Sequence, residues 1–573
     1  MEHKKTINYR LKMGKNIQAY LSKIKKDIDI TKDSVCIRKN KKGDRVLINI
    51  RKKKPYFRVS ERLGKSDEIV EHESYFGEVY KLYFPPNIKK TDIKVKNTLA
   101  AKVIPLTDDD MKYQYDILSE SWKELIIQQQ ITKNILYKKL SPNFSLFYGY
   151  FVCKDGNIQD FSNVNIINKM KIRDLIKKLK KYYAIMSNII TEFDATNRTA
   201  IDIINNLSVK IRTLGIELER YEYNVRYPNP RFNLIILMEL ESTTLTKVLV
   251  PLIKPKLYAH NIIRIFHRLR LAEKIKNPFF YNEVSTQLTK KKIDVNKLNT
   301  LKKNQKNTSL AGLFDGVYID RVFCYSMIFQ IISAINNLSR LGIAHLDLHI
   351  ENVLIAKSKI IHEETWDKFG FFKYKINDKL YYVPDYGMTC KIGDFGLSET
   401  LSSFNKRNKA EKYDFATFIV DKLAYFVFTQ QDERRIDNLS NNIINNIATQ
   451  NPKIVFEYLG LFDVIIIMIS LIAEIEHISK NVFLEIQKMT GSVNILQLHD
   501  KFLIIPEYLG TLKLLQSSLL NIFLCNLGKK GKLKQMPKKE YFTAVSNIIE
   551  IFQEDNITID ENDVILNKVP FYG

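Results

Sequence analysis

Apolar and polar positions alternate in short bursts along the first part of the chain, and those bursts predict strands. From about residue 68 to 104 an apolar start leads into a turn at Glu73-Ser74-Tyr75-Phe76-Gly77, then into Glu78-Val79-Tyr80-Lys81-Leu82-Tyr83. Pro85-Pro86 and a polar stretch break the pattern, and Thr98-Leu99-Ala100-Ala101-Lys102-Val103-Ile104 resumes it. Residues 147–153 form a further strand rich in aromatics. The unbroken apolar run from Asn233 to Glu241 has strand length, which predicts a central strand buried on both faces. Helical periodicity covers 119–140, ending before Ser141-Pro142-Asn143, and 320–341, where Gly342 is a good stop. Residues 371–394 predict a β-hairpin turning at Asn377-Asp378, and helices dominate from 412 onward. Two stretches carry no chemical motif: a Lys/Ile-rich, mostly helical one over about 154–231 and a polar, basic one over about 250–318. No internal repeat is present.

Composition adds charge to this picture. The chain has 573 residues and a net charge of +26, and residues 1–65 alone hold 21 Lys/Arg against 6 Asp/Glu. The first 62 residues therefore read as a basic, partly helical extension. Runs such as Arg51-Lys52-Lys53-Lys54 would attract nucleic acid, acidic protein or anionic lipid alike; the alternative is a solvated arm with no dedicated partner. No zinc-finger spacing or RNP-type aromatic motif supports a dedicated nucleic-acid module. Five scattered cysteines, Cys36, Cys153, Cys324, Cys390 and Cys525, contain no CxxC pair. Their spacing argues against a disulfide framework or structural zinc and for an intracellular, reducing compartment. The N-terminus lacks the apolar segment of a secretory signal. The most apolar run, Val464 to Ala473, is about ten residues long where a bilayer needs about 20, so it predicts a buried helix and no transmembrane segment.

The chemistry concentrates in two stretches, HLDLHIENVLI at 345–355 and KIGDFGLS at 391–398. The first sets Asp347 five residues before Asn352 and runs into Val353-Leu354-Ile355. The second places Asp394 in a sharp Asp-Phe-Gly turn after a β-type run. Phosphoryl transfer needs a cation on the phosphates, oxygen ligands for magnesium and a group that orients the attacking hydroxyl. Lys102 ends a short apolar strand and is the candidate cation; Asp347 is the candidate for the hydroxyl; Asn352 and Asp394 are the candidate Mg²⁺ ligands.

Taken in this order and spacing, the residues resemble the protein-kinase superfamily over 68–430, with two large interruptions. Closer matches are haspin-like kinases and the serine/threonine kinases of poxviruses and giant DNA viruses, which share Asp-Leu-His in the catalytic loop and a hairpin like 381–387 before Asp-Phe-Gly. With the excess of Lys, Ile and Asn, this resemblance points to a large DNA virus as the source, acting in the host cytoplasm or viral factory and packaged or not in the virion. It implies an α+β, bilobal kinase-like fold: a small β-rich N-lobe over 63–241 and a large helical C-lobe over 242–573, both carrying helical insertions. It also implies ATP and Mg²⁺ or Mn²⁺ as cofactors and protein substrates modified on Ser or Thr. Gly77 and Val79 would belong to a glycine-rich loop over the phosphates. Met238 would be the gatekeeper, Glu239 and Glu241 the hinge around adenine, and Glu124 the helix partner of Lys102, with Glu120 the alternative one turn earlier. Asp414 would be the buried aspartate of the helix after the activation segment.

The sequence departs from the family in several places. Two of the loop glycines would fall at His72 and Ser74, and backbone cradles phosphate best without a Cβ. Leu346 replaces the arginine that reads a phosphorylated activation loop, so no such switch is expected. His349 stands where many protein kinases place a lysine facing the γ-phosphate, and the segment from Asp394 to Asp414 is short, without Ala-Pro-Glu. Two alternatives follow: a small-molecule kinase of the aminoglycoside or choline type, or a pseudokinase serving as a virion structural protein.

Overall fold

The computed structural model describes residues 7–29, 33–39, 45–62, 78–84, 98–154, 175–185, 232–241, 243–253, 321–357, 370–376, 379–384, 388–427, 430–490, 504–533, 564–565 and 571–572. The chain opens with α1 (Ile7–Lys26), followed by β1 (Val35–Lys39), β2 (Arg45–Asn49), β3 (Lys54–Arg62), β4 (Glu78–Tyr83) and β5 (Thr98–Leu106). Then come α2 (Asp108–Lys112), α3 (Glu120–Ile131), β6 (Phe147–Cys153), β7 (Phe232–Glu239), β8 (Thr243–Thr244), α4 (Leu245–Ile253) and α5 (Arg321–Arg340). Short strands follow: β9 (Ile343–Ala344), β10 (Val353–Lys357), β11 (Gly370–Ile376), β12 (Lys379–Pro384), β13 (Met388–Ile392) and β14 (Glu399–Thr400). The remainder is α6 (Leu401–Lys406), α7 (Lys409–Phe426), α8 (Gln430–Thr449), α9 (Pro452–Thr490) and α10 (Ile504–Leu527), with β15 (Val564–Ile565) and β16 (Phe571–Tyr572) at the end. The fold is α+β, sheet-rich toward the N-terminus and helical toward the C-terminus. Two compact units emerge, one of residues 15–122 and 147–240, the other of 1–14, 123–146 and 241–573.

The first unit is built on an antiparallel sheet of order β1-β2-β3-β4-β5-β7-β6. Residues 35–39, 45–49 and 54–62, expected within a basic extension, are three strands of this sheet. Charge hides the pattern: Val35, Ile37, Val46, Leu47, Phe57 and Val59 are buried, while Lys39, Lys54 and Arg58 on the same strands are exposed. β7 is the central apolar strand its sequence predicts, with Leu234 to Leu237 fully buried between β5 and β6. The α1 segment Tyr20-Leu21 covers the sheet, with the Tyr20 ring against Phe57 and Phe84. Gly149 in β6 faces this segment, and a Cβ there would make ordinary van der Waals contact with Leu21 Cδ1 at 3.4 Å.

The two ends of the sheet meet. Cys36 in β1 and Cys153 in β6 form a disulfide, their Cα atoms 4.8 Å apart, and Lys154 N–H donates to Ser34 Oγ at 2.7 Å. This corrects the reading of the cysteine spacing as evidence against disulfides. The partners are 117 residues apart in sequence, and only the curl of the sheet brings them together. Cysteine spacing therefore no longer carries the expectation of a reducing compartment.

The second unit is a helical body. Its axis is α9, an unbroken helix whose residues from Val455 to Ile475 are mostly buried. Over Pro452–His477 it is long and apolar enough to cross a membrane, but 83% of its most apolar window is buried inside the protein. It is the core helix of this unit, longer than the ten-residue run predicts. α5 crosses it at Gly460, where a Cβ would lie 3.0 Å from Ser339 Oγ. α5 ends as expected at Gly342, whose φ of +66° suits a residue without a Cβ. β11 and β12 form the predicted hairpin, joined across residues 377–378. The Lys/Ile-rich stretch over 154–231 and the basic stretch over 250–318 lie largely outside the described residues.

Candidate active site

Strand pairing brings the two motif stretches together. β10 follows directly on Asn352 and β13 runs directly into Gly393; they pair antiparallel with Val353 opposite Ile392. Gly393 N–H donates to the Asn352 carbonyl at 3.0 Å, so the two candidate metal ligands leave the same end of one ladder. Gly393 sits tightly here, since a Cβ would meet Leu354 Cδ1 at 2.9 Å.

Around this ladder the loop 345–352 is held by buried polar contacts. His345 is fully buried; its Nε2–H donates to the Gly393 carbonyl at 2.9 Å and its Nδ1 accepts from Asp347 N–H at 3.3 Å. Those partners suit the neutral imidazole, and burial holds its pKa below the ordinary histidine value. The ring also packs on Phe395, 5.1 Å between centroids. His345 thus links the Asp347 loop to the Asp-Phe-Gly turn in a structural role, as the sequence predicts.

Asn352 spends its amide nitrogen on the Asp347 carbonyl at 2.8 Å, on His349 Nε2 at 3.1 Å and, more distantly, on Asp347 Oδ2 at 3.5 Å. That orientation commits the donor end inward and leaves Oδ1 as the acceptor for a cation. Asp394 takes a left-handed φ of +59° and accepts from Gly396 N–H at 3.4 Å. A carboxylate and an amide oxygen are the hard donors that suit Mg²⁺. His349 is half-buried between Asp347 Oδ2 at 3.7 Å and Glu351 at 3.9 Å.

Two neighbours of Asp347 carry no sequence motif. Leu346, buried, has φ +63°, a costly conformation for a leucine. It is held there by Asp463 of α9, whose carboxylate accepts the N–H groups of His345 and Leu346, both at 2.7 Å. Burial pushes the Asp463 carboxyl up to about 7, against the pull of those two donors. Asp463 thus holds the buried position expected of Asp414, which is instead exposed on α7. The helical period turns Phe415, Ala416, Ile419, Val420 and Leu423 inward and leaves Asp414 outside. A lone Asp at the edge of the most apolar run was the available signal. The other neighbour is Lys422 of α7, whose Nζ lies 2.6 Å from Asp347 Oδ1.

The remaining candidates in this unit have different settings. Glu124, in α3, is 1% exposed and so is not a solvent-facing helix charge. Glu241 Oε1 accepts from Lys391 Nζ at 2.6 Å and from Ser145 Oγ at 2.9 Å, so its side chain is committed to a buried ion pair. The short segment after Asp394 is ordered by contacts with β9 and within itself. Glu399 and Thr400 pair with Ala344 and Ile343, Arg407 bonds Glu399 at 2.7 Å, and Thr400 caps α6.

In the sheet unit, register places Val79 opposite Lys102 and Met238 opposite Ala100, with Lys102 also opposite Ile236. Alternation puts Val79, Ala100, Lys102 and Met238 on one face of the sheet. Lys102 is 4% exposed, and Glu239 closes β7 opposite Leu99. Gly77 and the residues before it in the candidate phosphate loop lie outside the described residues.

No family model matches the chain. Over 309 residues, 53% of its length, it is 24% identical to an uncharacterized protein, R403, of Acanthamoeba polyphaga mimivirus. The match covers 32% of that protein, so the chain spans about one third of its relative's length. The similarity links the chain to a giant virus and brings no activity with it.

Proposed function

We propose that the chain transfers the γ-phosphoryl group of ATP to serine or threonine hydroxyls of protein substrates, on a bilobal kinase-like fold. The observation that carries this is the Val353–Ile392 register, with Asn352 turned onto the Asp347 carbonyl. It brings Asp347, Asn352 and Asp394 to one end of a strand pair, where one carboxylate would serve the acceptor and two oxygens would serve a metal. Asp347 would orient the attacking hydroxyl and take its proton as the oxygen–phosphorus bond forms and the bond to the β-phosphate oxygen breaks, releasing ADP. Asn352 and Asp394 would hold Mg²⁺ or Mn²⁺, which supplies charge to the phosphate oxygens when bound. Lys102 would lie on the α- and β-phosphates, and the sheet face shared by Val79, Ala100 and Met238 would cover the adenine. The order of residues 398–407, pinned by strand pairing to Ile343–Ala344 and by Arg407 on Glu399, supports activity without a phosphorylated loop.

The test is transfer of labelled phosphate from ATP with Mg²⁺ or Mn²⁺, comparing the intact chain with Asp394→Asn. Basic and acidic proteins, choline and aminoglycosides would be offered as acceptors. Label on protein, reduced about 100-fold or more in the variant, is the expected result, as loss of a metal ligand costs several kcal/mol of transition-state stabilisation. Label on a small molecule would reassign the substrate class. No transfer and no ATP-dependent thermal shift would leave a pseudokinase.

A further inference from the structure

Asp347 does not face solvent alone. Its two oxygens are divided between different partners: Oδ1 meets Lys422 Nζ at 2.6 Å, while Oδ2 lies 3.5 Å from Asn352 Nδ2 and 3.7 Å from His349 Nε2. Lys422 belongs to α7, 75 residues further along the chain, and no motif announces it. Its side chain is 12% exposed against 28% for Asp347. The ammonium also lies 5.4 Å from the Phe418 ring centroid, one helical turn earlier. Lys422 and Asp347 both lie within electrostatic range of the buried Asp463 carboxyl, the ammonium drawing its pKa down and the carboxylate pushing it up. An ammonium held this way, mostly out of water, is unlike a solvent-screened surface pair.

We propose that Lys422 is a positioning residue for phosphoryl transfer, fixing the Asp347 carboxylate by its Oδ1 so that Oδ2 is presented to the acceptor hydroxyl. The proposal rests on the function given above. His349 Nε2 accepts from Asn352 Nδ2–H and lies 3.7 Å from the opposite oxygen, so the cation in direct contact with Asp347 is Lys422. Such a role needs both the charge and the reach of Lys422, and it acts on the chemical step rather than on nucleotide binding.

The experiment uses the full chain with Lys422→Met and Lys422→Arg, measuring kcat, KM for ATP and the thermal shift with ATP-Mg²⁺. The expected result is a fall in kcat of about 10- to 100-fold in Lys422→Met, with KM and thermal shift unchanged. Lys422→Arg should recover most of the rate, since an arginine keeps the charge and reaches the same oxygen. An unchanged kcat in Lys422→Met would overturn the role. So would an increase, which would mark the ion pair as a brake on Asp347. Equal loss in both variants, tracking a lower unfolding temperature, would make Lys422 a packing residue only. If the wild-type chain transfers no phosphate to any acceptor, phosphoryl transfer itself fails and this role with it; an active wild type with an unaffected Lys422→Met sinks the lysine alone.

Discussion

Asp463 has the most unusual environment of any side chain near the candidate site. It is fully buried in an apolar helix, yet its two oxygens accept the N–H groups that hold Leu346 in a left-handed bend. Burial raises its carboxyl from 3.8 to about 7, so between those values the folded state keeps a proton that the unfolded chain releases. The contribution is therefore fully present below about pH 4 and is lost as pH rises through about 7, worth roughly 4 kcal/mol in all. Asp463→Asn removes this titration. Urea unfolding from pH 4 to 7 should show the stability difference, variant minus wild type, moving in the variant's favour as pH rises. A difference that stays flat would show that Asp463 is ionised throughout.

At the scale of elements, the site depends on how closely α5 and α9 cross. Gly460 stands three residues before Asp463, and a Cβ there would come within 3.0 Å of Ser339 Oγ and 3.1 Å of its Cβ. Gly460→Leu must separate the helices, at a cost of about 1–3 kcal/mol for overpacking. The same separation would shift Asp463 relative to the His345-Leu346 backbone, so phosphoryl transfer should fall further than stability alone explains. Denaturant unfolding and an activity assay on the same preparation would check this. A variant as stable as the wild type would show that the crossing has slack.

At the scale of the whole molecule, the chain passes between its two units at 14–15, 122–123, 146–147 and 240–241. The sheet unit is therefore assembled from distant segments, and the Cys36–Cys153 bond ties its two end strands. Closing a loop of 117 residues stabilises by up to about 5 kcal/mol, mainly by restricting the unfolded chain. Cys36→Ser combined with Cys153→Ser should lower the unfolding temperature. Reductant should bring the wild type to the same value and leave the variant unmoved. Alkylation of the denatured, unreduced chain should leave Cys36 and Cys153 unlabelled and label both after reduction; label on both without reduction would disprove the bond.

The sequence by itself determined what short-range chemistry encodes. The β7 run, the hairpin over 370–384, the stop at Gly342 and the spacing of Asp347, Asn352 and Asp394 all follow from local period, turn residues and motif order. Even the structural role of His345 was legible. Tertiary structure alone decided the rest. The strands within residues 35–62 were hidden because lysines and arginines share them with the buried residues. Asp463, Lys422 and the Cys36–Cys153 pair act across 75 to 118 residues of chain. Such partners carry no local spacing signal, because burial and the path of the backbone, rather than neighbours in sequence, bring them together.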